Sequence, residues 1–126
     1  MVVGVLQFEL LIHGASCLKD KRRVVHSLRD RLHREHLVAF AETGALEKHN
    51  LALCAVSAVG SDAARVGSVL DRITTKLRAM TDAELAGTAR ETISIPAMGT
   101  SALEEEQVDA INAEMLARAA DAEAPR

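Results

Sequence analysis

From Val2 to Ile12 the side chains fall into two sets, Leu6, Phe8, Leu10 and Ile12 on one side and Val3, Val5, Gln7, Glu9 and Leu11 on the other. That period of two predicts a strand with both faces largely apolar through its middle. His13-Gly14-Ala15-Ser16 interrupts the pattern, and from Leu18 the period changes. Leu18, Val25, Leu28 and Leu32 recur at helical spacing, which predicts a helix to about Glu35. Residues 37–42 predict a short second strand at an edge, residues 43–50 a polar turn containing Gly44, and residues 51–59 a third strand apolar enough for a central position. Asp62 is placed to cap a second helix reaching about Met80, with Val66, Val69, Leu70, Ile73 and Leu77 as its apolar stripe; residues 85–95 predict a weaker fourth strand.

The order is therefore βαββαβ. A right-handed crossover in each βαβ half puts both helices on one face of a four-stranded antiparallel sheet, an α+β arrangement of the ferredoxin-like type over residues 1–95. Pro96 ends the fourth strand, and Ser101 with Glu104 forms a capping box that opens a third helix with Leu103, Val108, Ile111 and Met115 as its apolar positions. Residues 96–126 thus predict an acidic helical extension, with seven acidic residues from Ser101 onward against Arg118 and Arg126 and a fraying AEAPR end.

Composition narrows the class. A chain of 126 residues has room for one hydrophobic core, and 48% hydrophobic residues exclude bulk disorder. The longest apolar run, residues 51–59, is far short of the roughly 20 residues that span a bilayer. Met1 leads into a strand with no basic residue before it and no small-residue cleavage pattern after it, so no signal peptide and a cytoplasmic location are expected. Cys17 and Cys54 lack metal or redox spacing and are expected to be reduced thiols.

Charge changes the picture most. Residues 17–36 hold seven Lys/Arg and three Asp/Glu, a net of +4 inside a chain of net −3, which leaves −7 for the rest. On a helical wheel Lys19, Arg22, Arg23, His26, Arg29 and His33 gather opposite Val24, Val25, Leu28 and Leu32. Such a stripe can neutralise several phosphates with a steep salt dependence, although phosphate contacts alone read no sequence. It can equally be a solvated face that keeps the protein soluble, or a dock for the acidic third helix. Base stacking on the sheet is not expected, since the aromatic residues are Phe8 and Phe40 and both share parity with core positions.

Two further features concern the sheet. Val3, Val5, Leu11, Leu51, Leu53, Ala55 and Val59 would leave an apolar patch on the open face, to be covered either by the third helix or by a second copy in a homodimer. Lys21 falls among the apolar positions of the first helix, and Glu42 closes the second strand at the same end of the sheet on the helix-facing parity, so a structural ion pair between Lys21 and Glu42 is expected. A ligand site at that end is the alternative.

Chemistry has weaker candidates. Cys17 before a helix and beside Lys19 and Lys21 suggests a lowered-pKa nucleophile, against the simpler reading of a replaced cap residue; Cys54 suits core packing. His33 and His36 are three apart but lack the further donors a metal needs, so no metal or cofactor is expected. Gly14-Ala15-Ser16 suits a single anion and not a nucleotide loop. Glu9 and Glu42 point to opposite faces of the sheet and make no acid/base pair.

The run GVLQFELLIHGASCLKDKRRVVHSLRDRL, then VAFAE and LALCAVSAVGSD, resembles the YlxP-like family of uncharacterised bacterial proteins, also known as a domain of unknown function, over roughly residues 1–95. L-K-D-K-R-R and the Glu at position 42 are its most specific parts. The resemblance implies a ferredoxin-like fold and, because genes of such proteins often neighbour those of translation initiation and ribosome-binding factors, an RNA or ribosome connection by association. It implies no catalytic residue. The chain departs from the family in having Cys17 where Ser usually stands, in lacking a Trp in the second turn, and in carrying the acidic third helix.

Together these features predict a non-enzymatic accessory protein that meets RNA or a ribonucleoprotein through Lys19, Arg22, Arg23, Arg29 and Arg34. The alternative is a protein-interaction or self-assembly module that uses the open sheet face, with no nucleic-acid role.

Overall fold

The structure, a computed structural model, describes residues 1–96, 98 and 105–123. Its elements run β1 (Val2–Leu11), α1 (Leu18–Glu35), β2 (Ala39–Gly44), β3 (Leu51–Gly60), α2 (Ala63–Arg78), β4 (Glu84–Ser94) and α3 (Glu105–Glu123). The chain divides into two compact units, Met1–Pro96 and Ala97–Arg126.

In the first unit the four strands pair antiparallel in the order β2-β3-β1-β4, which makes the fold α+β with the βαββαβ order read from the sequence. Alternation along β1 decides which side is core: Val2, Gly4, Leu6, Phe8 and Leu10 are buried and Ile12 continues the series, while the residues between them are half-buried or exposed. Ala52, Cys54, Val56 and Ala58 of β3 supply the matching buried row. Both helices lay their apolar stripes on this side, α1 through Val25, Leu28 and Leu32 and α2 through Val66, Leu70, Ile73 and Leu77. Gly4 lets α2 approach, because a Cβ there would stand 2.5 Å from Val66 Cγ1 and 2.9 Å from Leu70 Cδ1. Asp62 starts α2 by accepting a 2.9 Å hydrogen bond from the Ala64 amide, a cap worth about 1 kcal/mol.

Several boundaries differ from the sequence pattern by a residue or two, most of all those of β2. β2 begins at Ala39 and not at residue 37, because His36 is the extended cap of α1 and the Leu37 side chain is 99% exposed, apolar in identity but unpaired. β2 also runs on to Gly44 through a register shift after Glu42, so the turn starts at Ala45, a non-glycine residue held at φ 53°. β4 covers Glu84–Ser94 with a register shift between Glu9 and Leu10 of its neighbour; none of its residues is buried, which is why its pattern is weak. In the second unit α3 shows Ile111, Met115 and Leu116 exposed, and the capping box at Ser101 and Glu104 lies outside the described residues, as does Leu103. Among the described residues no helix is long and apolar enough to cross a membrane.

Candidate nucleic-acid interface

α1 positions the candidate residues. Its inward seam is Leu18, Lys21, Val25, Leu28 and Leu32, with Val24 packed beside it, so Lys19, Arg22, Arg23, His26, His33 and Arg34 face away from the sheet. Lys19, Arg22, Arg23 and Arg34 are exposed, and none makes a hydrogen bond or ion pair among the described residues. Arg23 is felt electrostatically by Asp20, whose carboxyl is held below its usual range first by hydrogen bonds from the Ser16 amide and hydroxyl. Arg29 differs: it is half-buried and lies 3.3 Å from Asp30. The cationic stripe is thus open at Lys19, Arg22, Arg23 and Arg34 and partly neutralised at Arg29. Arg23, His26, Asp30, His33 and Arg34 also line a shallow groove along the helix.

Lys21 is 1% exposed. Its Nζ lies 2.9 Å from Glu42 Oε2 and donates to the carbonyl oxygens of Ala45 at 2.8 Å and Leu51 at 3.2 Å, with Leu46 at 3.5 Å. Glu42 Oε2 is sealed from solvent and its angles fall outside hydrogen-bond geometry, so its approach to the ammonium is a charge contact. The three donors of a lysine are taken up by the carbonyl oxygens of Ala45, Leu46 and Leu51, and the carboxylate supplies the counter-charge. A buried cation so fully occupied is a structural clasp and has no donor to give a ligand. Cys54, opposite Glu42 in the β2–β3 register, has its thiol pushed up to about 12 by burial first and by the Glu42 carboxylate second, with Lys21 acting the other way.

At the far end of α1, Glu35 and His36 meet Lys76 of α2; Lys76 Nζ lies 2.6 Å from His36 Nε2 and also pairs with Glu35. These contacts join the two helices and withdraw Glu35 and His36 from any site. His36 is held below the ordinary histidine value by burial first and by the Lys76 charge second, and His33 is exposed. Among the described residues no group of three His, Cys, Asp or Glu could hold a metal. Cys17 is exposed and caps α1 through its backbone, with no capping bond from its side chain, which interacts with Asp20 instead. Phe8 and Phe40 lie on the helix side with ring centroids 6.2 Å apart, so no aromatic ring is offered on the open sheet face.

A pocket of about 750 Å³ lies beside the first half of α1. Ile12, Val24, Met80, Ala83 and Leu85 make its apolar lining, and its polar rim holds His13 and the charged residues Asp20, Arg23, Arg78, Asp82 and Glu84. His13 Nε2 and Glu84 Oε2 are 2.7 Å apart across its edge. The residues come from two stretches, 12–24 and 78–85, that only the pairing of β1 with β4 brings together. The single signal for it in the sequence is the cluster of turn residues at Thr81-Asp82 facing His13-Gly14 at one end of the sheet.

The family described as "Protein of unknown function (DUF503)" matches residues 3–90, which takes in β1 through most of β4 and leaves out α3. No curated protein matches the chain.

Proposed function

The chain belongs to the DUF503 family, and from that premise we propose that it is a non-enzymatic accessory protein that binds RNA, free or within a ribonucleoprotein, through the outer face of α1. The observation that carries this is the set of exposed cations Lys19, Arg22, Arg23 and Arg34, which make no hydrogen bond or ion pair among the described residues, although Arg23 lies in the field of the Asp20 carboxylate and the whole chain is acidic. An acidic protein that keeps one helix face cationic and unneutralised concentrates its attraction for polyanions there. The YlxP-like resemblance supports an RNA connection by association.

Fluorescence anisotropy with a short RNA over a range of salt concentrations tests this. Affinity falls with salt, and Arg22→Ala with Arg23→Ala reduces the slope of log K against log salt by about two, one for each phosphate no longer neutralised. RNA affinity that is absent, or indifferent to both substitutions, defeats the proposal.

A second reading draws on the open sheet face, where Val3, Val5, Leu11, Leu51 and Leu53 are half-buried and Val59 and Ile93 are exposed at 65% and 45%. An apolar patch of this kind favours a protein-interaction or self-assembly module. Concentration-dependent oligomerisation in sedimentation, together with no RNA affinity, would select it over the first.

A further inference from the structure

The pocket beside α1 shares Arg23 with the groove along the basic helix face, so a chain of phosphates following that face passes its mouth. Which charges remain available there is set by the partners already made. Asp20 is occupied by the Ser16 amide and hydroxyl, and Glu84 by His13. Arg23, Arg78 and Asp82 are left, none with a hydrogen bond or ion pair among the described residues. Two free guanidinium groups suit a phosphate, and the lining of Ile12, Val24, Met80 and Leu85 suits the flat face of a ring. A free carboxylate accepts hydrogen bonds and has none to donate.

We propose that this pocket is a nucleotide subsite: it takes one unstacked nucleotide of the RNA, with the phosphate at Arg23 and Arg78, the base on the apolar lining, and the Asp82 carboxylate accepting from an exocyclic amine. The inference rests on the RNA-binding reading and adds what that reading lacks, a means of telling bases apart where the sheet offers no aromatic platform. Cytosine carries the amine and uracil carries an acceptor in its place, so the acceptor at Asp82 favours cytosine.

The probes are single-stranded oligocytidylate and oligouridylate of equal length, which carry the same backbone charge, titrated against the full chain at neutral pH. Oligocytidylate binds about tenfold more tightly, the scale of one well-placed base contact. Asp82→Ala removes the difference by deleting the acceptor. Gly14→Leu removes it by narrowing the mouth with a side chain that cannot stack on a base, at a position where an added Cβ meets nothing within 4 Å. Equal affinity for the two oligomers, or a difference that survives both substitutions, overturns the subsite while leaving the helix-face reading intact. Absence of salt-dependent affinity for either oligomer overturns both.

Discussion

The Lys21 ammonium lies 2.9 Å from Glu42 Oε2, yet its hydrogen bonds go to backbone, to the carbonyl oxygens of Ala45 and Leu51. The two partners are therefore unequal in what they hold. Lys21→Met strips the turn carbonyls of their donor and leaves a carboxylate oxygen sealed without a counter-charge, a loss of about 3–5 kcal/mol. Glu42→Gln leaves the carbonyl bonds in place but removes the counter-charge of the buried ammonium, and costs less, about 2–3 kcal/mol. Urea denaturation of both variants and of the double mutant measures this, with the double mutant less damaged than the two losses added. Equal costs for the single variants would contradict the arrangement.

Gly4 faces Val66 and Leu70 so closely that one added methyl group must push those side chains out of place. Gly4→Ala is expected to destabilise by about 1–3 kcal/mol, as overpacked cores do. Gly14→Ala, with open space around its Cβ, should stay within about 0.5 kcal/mol of the parent. Thermal melting of the pair of variants distinguishes a close approach from a general cost of replacing glycine.

His36 gives the stability a pH dependence of definite sign. Burial and the Lys76 charge lower its pKa, Arg72 adds in the same direction, and Glu35 opposes them. The unfolded chain takes up a proton near the ordinary value of 6.5 and the folded chain only at lower pH, so between the two the unfolded state binds more protons. Stability therefore falls as pH drops through that window. His36→Gln should flatten the change in urea midpoint between about pH 7 and about pH 5.5. An unchanged slope would show that the imidazole does not titrate differently in the two states.

The two thiols should separate cleanly. Cys17 is exposed, whereas Cys54 is buried with its pKa pushed up to about 12. One thiol per chain is expected to react with dithiobis(nitrobenzoate) under native conditions at neutral pH, and the second only after unfolding. Mass mapping that finds Cys54 labelled in the native protein would contradict its packing.

Residue pattern reaches the framework because the framework is local. The seam of α1 is spelled out by Leu18, Val25, Leu28 and Leu32, and Lys21 among them can only point inward. Leu37 misleads for the same reason: an apolar residue beside a strand suggests pairing, but nothing packs on it once His36 has closed the helix. The bend of β2 into Gly44 and the left-handed Ala45 are set by the Lys21 clasp from another element, which no window of sequence contains. The pocket is illegible on the same ground, since Val24 and Leu85 become neighbours only through topology.

Ala45 holds a backbone shape costing about 1–2 kcal/mol that few residues other than glycine adopt, and the group that secures it comes from twenty-four positions earlier in the chain. Within the β2–β3 loop the Lys48 amide donates to the Ala45 carbonyl at 3.0 Å, and the remaining ties on that carbonyl and on Leu51 come from Lys21 of α1. The loop and the helix therefore share their fastening, and amide exchange in residues 45–50 should report on helix detachment as well as on the loop itself.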